Sequence, residues 1–235
     1  MFHGIPIIGI VGGIGSGKSY VARLFADLGA AVINSDEQVA AAYGKPEVRE
    51  ALRRWWGDES FQPDGSINRR FIARKIFTDP AERMRLEQLL HPIIAAERDE
   101  MMRKLVLTNP PKAFIWDAPL LIEAGLAQAC DAVVFVDTPL EERVRRVKAD
   151  RGWDEAELAR RENSQLSLDN KRSLSDYVVT NPASAAPSAL DPPQNEVRSA
   201  TDPRGGSPNA PIALREQVRL VFSRILEAAA GTGKA

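Results

Sequence analysis

The sequence predicts an α/β fold carrying one parallel sheet of five strands, and three observations predict it. Five short apolar runs rich in β-formers, Pro6–Val11, Ala30–Asn34, Ala113–Trp116, Ala132–Val136 and Tyr177–Thr180, are separated by stretches of helical pattern. Near-continuous apolar strands alternating with helices belong to a parallel sheet covered on both faces. The first run leads straight into a glycine-rich turn and then a helix, a junction of the kind at which such sheets hold ligands. At 235 residues and 44% hydrophobic content, the chain suits one α/β domain with embellishments.

The first strand runs into Gly12-Gly13-Ile14-Gly15-Ser16-Gly17-Lys18-Ser19. This fits G-x-x-x-x-G-K-[ST] in full, in the strand-to-helix context that gives the pattern its meaning. Glycines let the loop adopt backbone angles that a side chain would forbid, so its amides can point inward at phosphate oxygens. The helix starting near Lys18 adds its positive dipole end. Lys18 is expected to reach the β and γ phosphates and Ser19 to hold Mg²⁺. The Ser19 and Tyr20 amides should face the inner phosphates. The alternative is a flexible glycine loop without a ligand, against which the flanking strand and helix argue. The chain is therefore expected to bind a nucleoside triphosphate with Mg²⁺ and to have the three-layer fold of P-loop NTPases.

A helix from about Ser19 to Leu28 should stop at Gly29. The second strand delivers Ser35-Asp36 to the carboxyl edge of the sheet, and the third delivers Asp117. Between them, residues 37–112 hold helical patterns at Glu47–Trp56, Arg69–Phe77, Ala81–Leu89 and Pro92–Leu107. A connection this long is an inserted subdomain rather than a plain crossover; in phosphate-loop kinases such an insertion grips the acceptor substrate, and that is the role expected of it. Asp79-Pro80-Ala81-Glu82 places a cap, a proline at the first helical position and a Glu that can bond back. Thr138-Pro139-Leu140-Glu141 repeats that logic, and Asp154-Glu155-Ala156-Glu157 opens another helix. Residues 138–170 read as a helical lid. Residues 182–211 hold seven prolines and almost no large apolar residue, the composition of a disordered loop. Leu214, Val218, Val221, Phe222 and Ile225 recur at helical spacing, so a C-terminal helix over 212–230 should dock on the sheet. The whole, residues 1–235, is expected to be a single domain.

Several side chains stand where chemistry would need them. Asp36 could accept a hydrogen bond from an acceptor hydroxyl and take its proton, or cap the helix it precedes. Asp117 could hold Mg²⁺ through water, or be an ordinary loop-start residue. Glu123 could bond substrate, steady its loop or sit solvated. His91 reads from its own context as a capping or core histidine, and no second His or Cys near it gives zinc spacing. Arg143, Arg145, Arg146, Lys148 and Arg151 crowd one helix, with Arg160 and Arg161 on the next. Such helices are solvated faces, or, beside a phosphate loop, a lid whose guanidinium groups stabilise the transferred phosphoryl.

The net charge of −1 argues against nucleic acid or a membrane surface as partner. Cys130, the single cysteine, cannot form an internal disulfide and fits a small, buried or half-buried filler in a reducing compartment. No apolar run approaches a membrane span, and the N-terminus lacks the basic region of a signal peptide. A cytoplasmic protein is expected.

Five motifs together resemble the dephospho-coenzyme A kinase family. They are Gly9-Ile-Val-Gly-Gly-Ile-Gly-Ser-Gly-Lys-Ser19, Val32-Ile-Asn-Ser-Asp36, Leu89-Leu-His-Pro-Ile93, Asp117-Ala-Pro-Leu-Leu-Ile-Glu123 and Asp176-Tyr-Val-Val-Thr-Asn181. Their order and spacing match over about residues 7–181. The resemblance implies transfer of the γ-phosphate of ATP to the ribose 3′-hydroxyl of dephospho-CoA, with Mg²⁺. It implies Asp36 as base and Lys18 on the phosphates. Arg146 and Arg151 become lid arginines, and Asn181 lies by the adenine. His91, Pro119, Leu120 and Glu123 fall on the acceptor side. No nucleic acid or membrane partner is implied, and the chain is expected to be a monomer or small homo-oligomer. It departs from the family at Asn34, where Asp is common, and at Glu162, where an aliphatic residue is usual. The register of Arg146 and Arg151 against the lid arginines is ambiguous, and the 182–211 loop is long. The rivals are another small-molecule or nucleoside monophosphate kinase, a degenerate kinase kept as a binding module, and a GTP switch. The switch needs Asn-Lys-x-Asp, and Asn170-Lys171-Arg172-Ser173 lacks the Asp.

Overall fold

The computed structural model describes residues 1–182 and 212–232. The disordered loop expected over 182–211 lies, apart from Pro182, outside the described residues. Two compact units emerge: residues 1–33 with 110–235, and residues 34–109.

The first unit is built on the expected sheet. Its strands are β1 (Ile7–Gly12), β2 (Ala31–Asn34, whose last residue belongs to the second unit), β3 (Phe114–Asp117), β4 (Ala132–Asp137) and β5 (Tyr177–Thr180). They stand in the order β2-β3-β1-β4-β5. β1 runs parallel to β3, with Ile10 opposite Asp117, and parallel to β4, with Gly12 opposite Val136; β4 runs parallel to β5. The chain thus reverses its direction of winding at β1, the switch point beside which parallel sheets hold ligands. On one face Ile8, Ile10, Ile115, Val134, Val136 and Val179 pack against α1 (Lys18–Asp27) and the C-terminal α9 (Ile212–Thr232). Phe25 of α1 meets Phe222 of α9 edge to face at 5.6 Å. The alternate residues Ile7, Val11, Phe114, Trp116, Val133 and Phe135 are buried as well. Burial of both faces explains why these strands read as unbroken apolar runs. Residues 138–170, expected to form a lid, hold α6 (Leu140–Arg151), α7 (Glu155–Glu162) and the start of α8 (Leu168–Ser173).

The second unit is helical: α2 (Ser35–Ala42), α3 (Pro46–Trp56), α4 (Arg69–Thr78) and α5 (Pro80–Thr108). Its core gathers Val48, Leu52, Trp56, Phe61, Phe71, Ile72, Leu86 and Leu90. Asp79 caps α5 as its sequence requires, accepting from the amides of Ala81 and Glu82. The two helices expected on either side of His91-Pro92 are one helix of 29 residues with Pro92 inside it. Proline removes one backbone donor and crowds the preceding turn. Leu86, Leu90, Ile93 and Ile94, on both sides of the proline, pack on the same core, and that shared burial carries the helix through it.

Two capping expectations fail for readable reasons. Asp154 does cap α7, through the amide of Glu157, but α6 begins after Pro139 without a side-chain cap. Thr138 instead donates its hydroxyl to the Ser16 carbonyl at 2.9 Å. In α2 the capping side chain is Asn34, which accepts from the Asp36 amide at 2.9 Å. Asp36 therefore sits in the first helical turn, not at the cap.

Candidate active site

The glycine-rich turn leaves β1 at Gly12 and enters α1 at Lys18. Gly17 stands at the helix entrance with φ 83°, a left-handed angle that side chains resist, and gives α1 no side-chain cap. A β-carbon there would lie 2.5 Å from the Asn181 amide nitrogen. The first amides of α1 are thus left for an external anion. The loop is held from its carbonyl side. The Ser16 carbonyl accepts from Asn181 Nδ2 at 2.8 Å, Thr138 Oγ1 at 2.9 Å and Arg146 Nη1 at 3.2 Å. In a trans peptide the next amide, Gly17 N–H, points the opposite way. Three donors on one carbonyl therefore fix the direction in which the loop presents its donors.

Lys18 Nζ turns back onto the carbonyls of Gly12 and Gly13, at 3.1 and 2.9 Å. Enclosure by protein is the main influence on its ammonium. Asp117 opposes that desolvation, Lys171 reinforces it, Glu162 opposes it and Arg151 reinforces it; the net effect lowers the pKa to about 8. A lysine so depressed is poised to gain a proton when phosphate arrives. At pH 8 nucleotide binding is therefore expected to take up about half a proton per site, since the anion restores the ordinary pKa. Calorimetry in buffers of different ionisation heat measures this uptake. Lys18→Met should abolish it, and equal uptake in both proteins would contradict it.

Asp117, at the end of β3, is buried, and its charge reaches the Lys18 ammonium. Ser19 is exposed in the first turn of α1. Among the described residues no group of three or more His, Cys, Asp or Glu could hold a metal ion. A cation here would need phosphate and water for most of its ligands. That suits Mg²⁺, which keeps several waters and takes one or two protein groups.

The arginines of α6 divide differently from the sequence expectation. Arg146 bonds the carbonyls of Gly15, Ser16 and Pro182 and pairs with Glu142. It braces the loop, which corrects its expected place as a free lid arginine. Arg151 is exposed and stacks on Trp153, with its guanidinium carbon 4.8 Å from the ring centroid. A second guanidinium, that of Arg143, lies on the loop at Gly13, 2.8 Å from where a β-carbon there would stand. It pairs with Glu162 at 2.6 Å, and Glu162 also accepts from the Ile14 amide at 2.9 Å. Sequence reading counted Arg143 in the basic cluster beside the loop but chose Arg146 and Arg151 from it, and it gave Thr138 only a capping role. The signal for Arg143 was its place three residues before Arg146 on one helix, on the same side one turn earlier.

Asp117-Ala-Pro-Leu-Leu-Ile-Glu123 is anchored at its middle. Leu121 is buried against Gly9, where a β-carbon would lie 2.7 Å from Leu121 Cδ2. Pro119 and Leu120 are exposed. Glu123 is not merely solvated: it accepts from Lys171 Nζ at 2.9 Å and from the Leu166 amide at 3.0 Å. Burial alone would raise its pKa, but the bonds from Lys171 and the backbone outweigh burial and lower it. Lys171, whose side chain is 2% exposed, also donates to Gln165 Oε1. The two partners are unequal, because Glu123 can be hydrated when the pair breaks and Lys171 cannot. Glu123→Ala is accordingly expected to destabilise the fold by about 3 kcal/mol, and Lys171→Met by clearly less. Urea unfolding of both variants checks the order.

In the helical unit, Asp36 is exposed in the first turn of α2, its backbone held by the Asn34 cap. His91 is exposed in the middle of α5, which corrects its reading as a cap or core residue.

The family model for dephospho-CoA kinase matches residues 6–186. Among curated proteins, the dephospho-CoA kinase of Syntrophotalea carbinolica is 38% identical over 177 residues, covering 74% of this chain and 83% of the relative. That of Anaeromyxobacter dehalogenans is 37% identical over 211 residues, covering 87% and 97%. The crystal structure of TT1252 from Thermus thermophilus superposes with TM-score 0.70 at 30% identity, covering 94% of this chain and 97% of that one. The dephospho-CoA kinase from Campylobacter jejuni shares the fold, with TM-score 0.60 at 19% identity, covering 94% and 98%. A five-stranded P-loop sheet, a braced phosphate loop and these relatives agree, and the chain belongs to the dephospho-CoA kinase family.

Proposed function

We propose that this kinase transfers the γ-phosphate of ATP to the ribose 3′-hydroxyl of dephospho-CoA; its relatives are named dephospho-CoA kinases. The observation that carries this reading is the Gly12–Ser19 loop. It is held by its carbonyls so that its amides remain for phosphate, with Lys18 and Arg143 beside it.

The loop amides and Lys18 bind the β and γ phosphates and hold them in line with the acceptor. Arg143 and the dipole of α1 offset the charge that moves with the phosphoryl group. Arg146, Thr138 and Asn181 act through the loop, as positioning residues. Ser19 and Asp117 would hold Mg²⁺, which supplies charge neutralisation between the phosphates when bound. Asp36 accepts the proton of the acceptor hydroxyl. Its support is its place two residues beyond β2, together with a backbone cap that leaves its carboxylate out of helix capping. His91, Pro119, Leu120 and Glu123 are proposed for the acceptor side. Of these, Glu123 acts by holding its loop to Lys171. Asn181 lies at the adenine end while bracing Ser16. Arg151, the remaining lid arginine, closes over the phosphates with its helix and excludes water, which would otherwise hydrolyse ATP.

The near-neutral charge supports a small-molecule acceptor rather than nucleic acid. Cys130, the single cysteine of the chain, suits a reducing, cytoplasmic compartment. No helix among the described residues is long and apolar enough to cross a membrane. The protein is proposed to act as a monomer or small homo-oligomer. The reading is tested by ADP release from ATP and Mg²⁺ across a panel of acceptors: dephospho-CoA, shorter alcohols and nucleoside monophosphates. Release that depends on dephospho-CoA supports it. Release with a nucleoside monophosphate alone overturns the acceptor, and none with any acceptor favours a binding module.

A further inference from the structure

The phosphate loop of this protein already holds an anion, and that anion is its own. Glu162, the last residue of α7, directs one carboxylate oxygen to two donors of the site. Oε1 accepts from the Ile14 amide at 2.9 Å and from Arg143 Nη1 at 2.6 Å. Both groups crowd Gly13: a β-carbon there would lie 2.8 Å from Arg143 Nη1 and 2.9 Å from Glu162 Oε1. The Arg143 side chain is 7% exposed and that of Glu162 is 19% exposed, so water screens their attraction poorly. The Arg143 Nε is buried without a hydrogen-bond partner among the described residues. A carboxylate oxygen on a loop amide and a guanidinium reproduces what a phosphate oxygen would do there. Lys18 meanwhile rests on the carbonyls of Gly12 and Gly13.

We propose that Glu162 is an internal competitor for the phosphate loop. It latches α7 onto the loop and is displaced by nucleotide, and Arg143 passes from its carboxylate to a phosphate. This inference rests on the loop being the nucleotide site. The pairing answers a physical need, because a buried guanidinium and a loop of inward amides are unstable without an anion. Its consequence is a weaker apparent affinity for nucleotide, since binding must first open the latch. A polyphosphate replaces one oxygen with several and carries more charge, so it wins at sufficient concentration. A latch closed in nine molecules of ten weakens apparent affinity about tenfold.

The experiment is titration calorimetry of the full chain with ADP and with inorganic pyrophosphate. Glu162→Leu is expected to bind both about tenfold more tightly than the native protein. Glu162→Gln, which keeps the shape and loses the charge, should bind severalfold more tightly and remains informative if the Leu variant folds poorly. Arg143→Met is expected to weaken binding in the native background and again in the Glu162→Gln background, because Arg143 ends on phosphate. Unchanged or weaker binding in the foldable Glu162 variants overturns the competitor. Loss of the Arg143 effect in the Glu162→Gln background overturns the handover, by the logic of a double-mutant cycle. Lys18→Ala separates this inference from the one beneath it. If that change leaves ADP and pyrophosphate binding intact, the loop is not the nucleotide site; if it abolishes binding while the Glu162 variants bind like the native protein, only the latch fails.

Discussion

Asp36→Asn is expected to leave ATP affinity within about twofold of the native value while lowering turnover by about 10²- to 10⁴-fold, the usual worth of a positioned general base. The change is nearly isosteric, and the structure separates its chemistry from its folding. The Asn34 side chain, not that of Asp36, caps α2, accepting from the Asp36 amide, so the helix start survives the substitution. What is lost is one acidic charge in the first turn, a small stability term for an exposed residue. An amide can still accept a hydrogen bond from the hydroxyl but cannot take its proton. Turnover should therefore fall with little change in the KM for ATP. Steady-state kinetics with separately varied ATP and acceptor checks this, and equal turnover in the two proteins would reject Asp36 as the base.

Lys18→Ala carries the second large effect. Here both binding and rate should fall, with kcat/KM for ATP lower by about 10³-fold. The ammonium touches the loop carbonyls of Gly12 and Gly13. Its loss must be told apart from simple unfolding, and the direction of the pKa shift does that. Lys18 titrates at about 8 rather than 10.5 because enclosure disfavours its charged form. The folded state thus bears a penalty at pH 7, which is relieved as pH rises from 8 to 10.5, where the unfolded chain still binds the proton and the folded chain does not. Removing the side chain removes that penalty. Thermal unfolding of Lys18→Ala at pH 7 should match or exceed the native protein even as activity collapses, a trade of stability against function. A large drop in melting temperature would contradict this reading of the lysine.

What the sequence revealed and what it hid divide along a physical line. Local chemistry was legible. The β1-loop-α1 junction, the five apolar strands and the Asp79 and Asp154 caps all follow from neighbours in the chain. Roles that depend on distant partners were not legible. Thr138 has the sequence of a helix cap, yet its hydroxyl serves Ser16, more than a hundred residues away. Asn34 read only as a departure from a position where Asp is common, and proved to be the cap of α2. Lys171 stood only in a failed guanine motif, and nothing local shows that its ammonium is buried against Glu123. Pro92 argued for a break that shared packing overrides. Among the arginines of α6, spacing could not decide which one rests on Gly13 and which one braces Ser16.

The reaction itself rests on a loop that presents the terminal phosphate of ATP to an alcohol. The most direct measurement follows the γ-phosphorus of labelled ATP in the presence of dephospho-CoA. The label is expected on the ribose 3′-oxygen of the product, in amounts equal to the ADP formed, and absent with Lys18→Ala. Label recovered as free phosphate at a rate independent of dephospho-CoA, or transfer undiminished in Lys18→Ala, would contradict it.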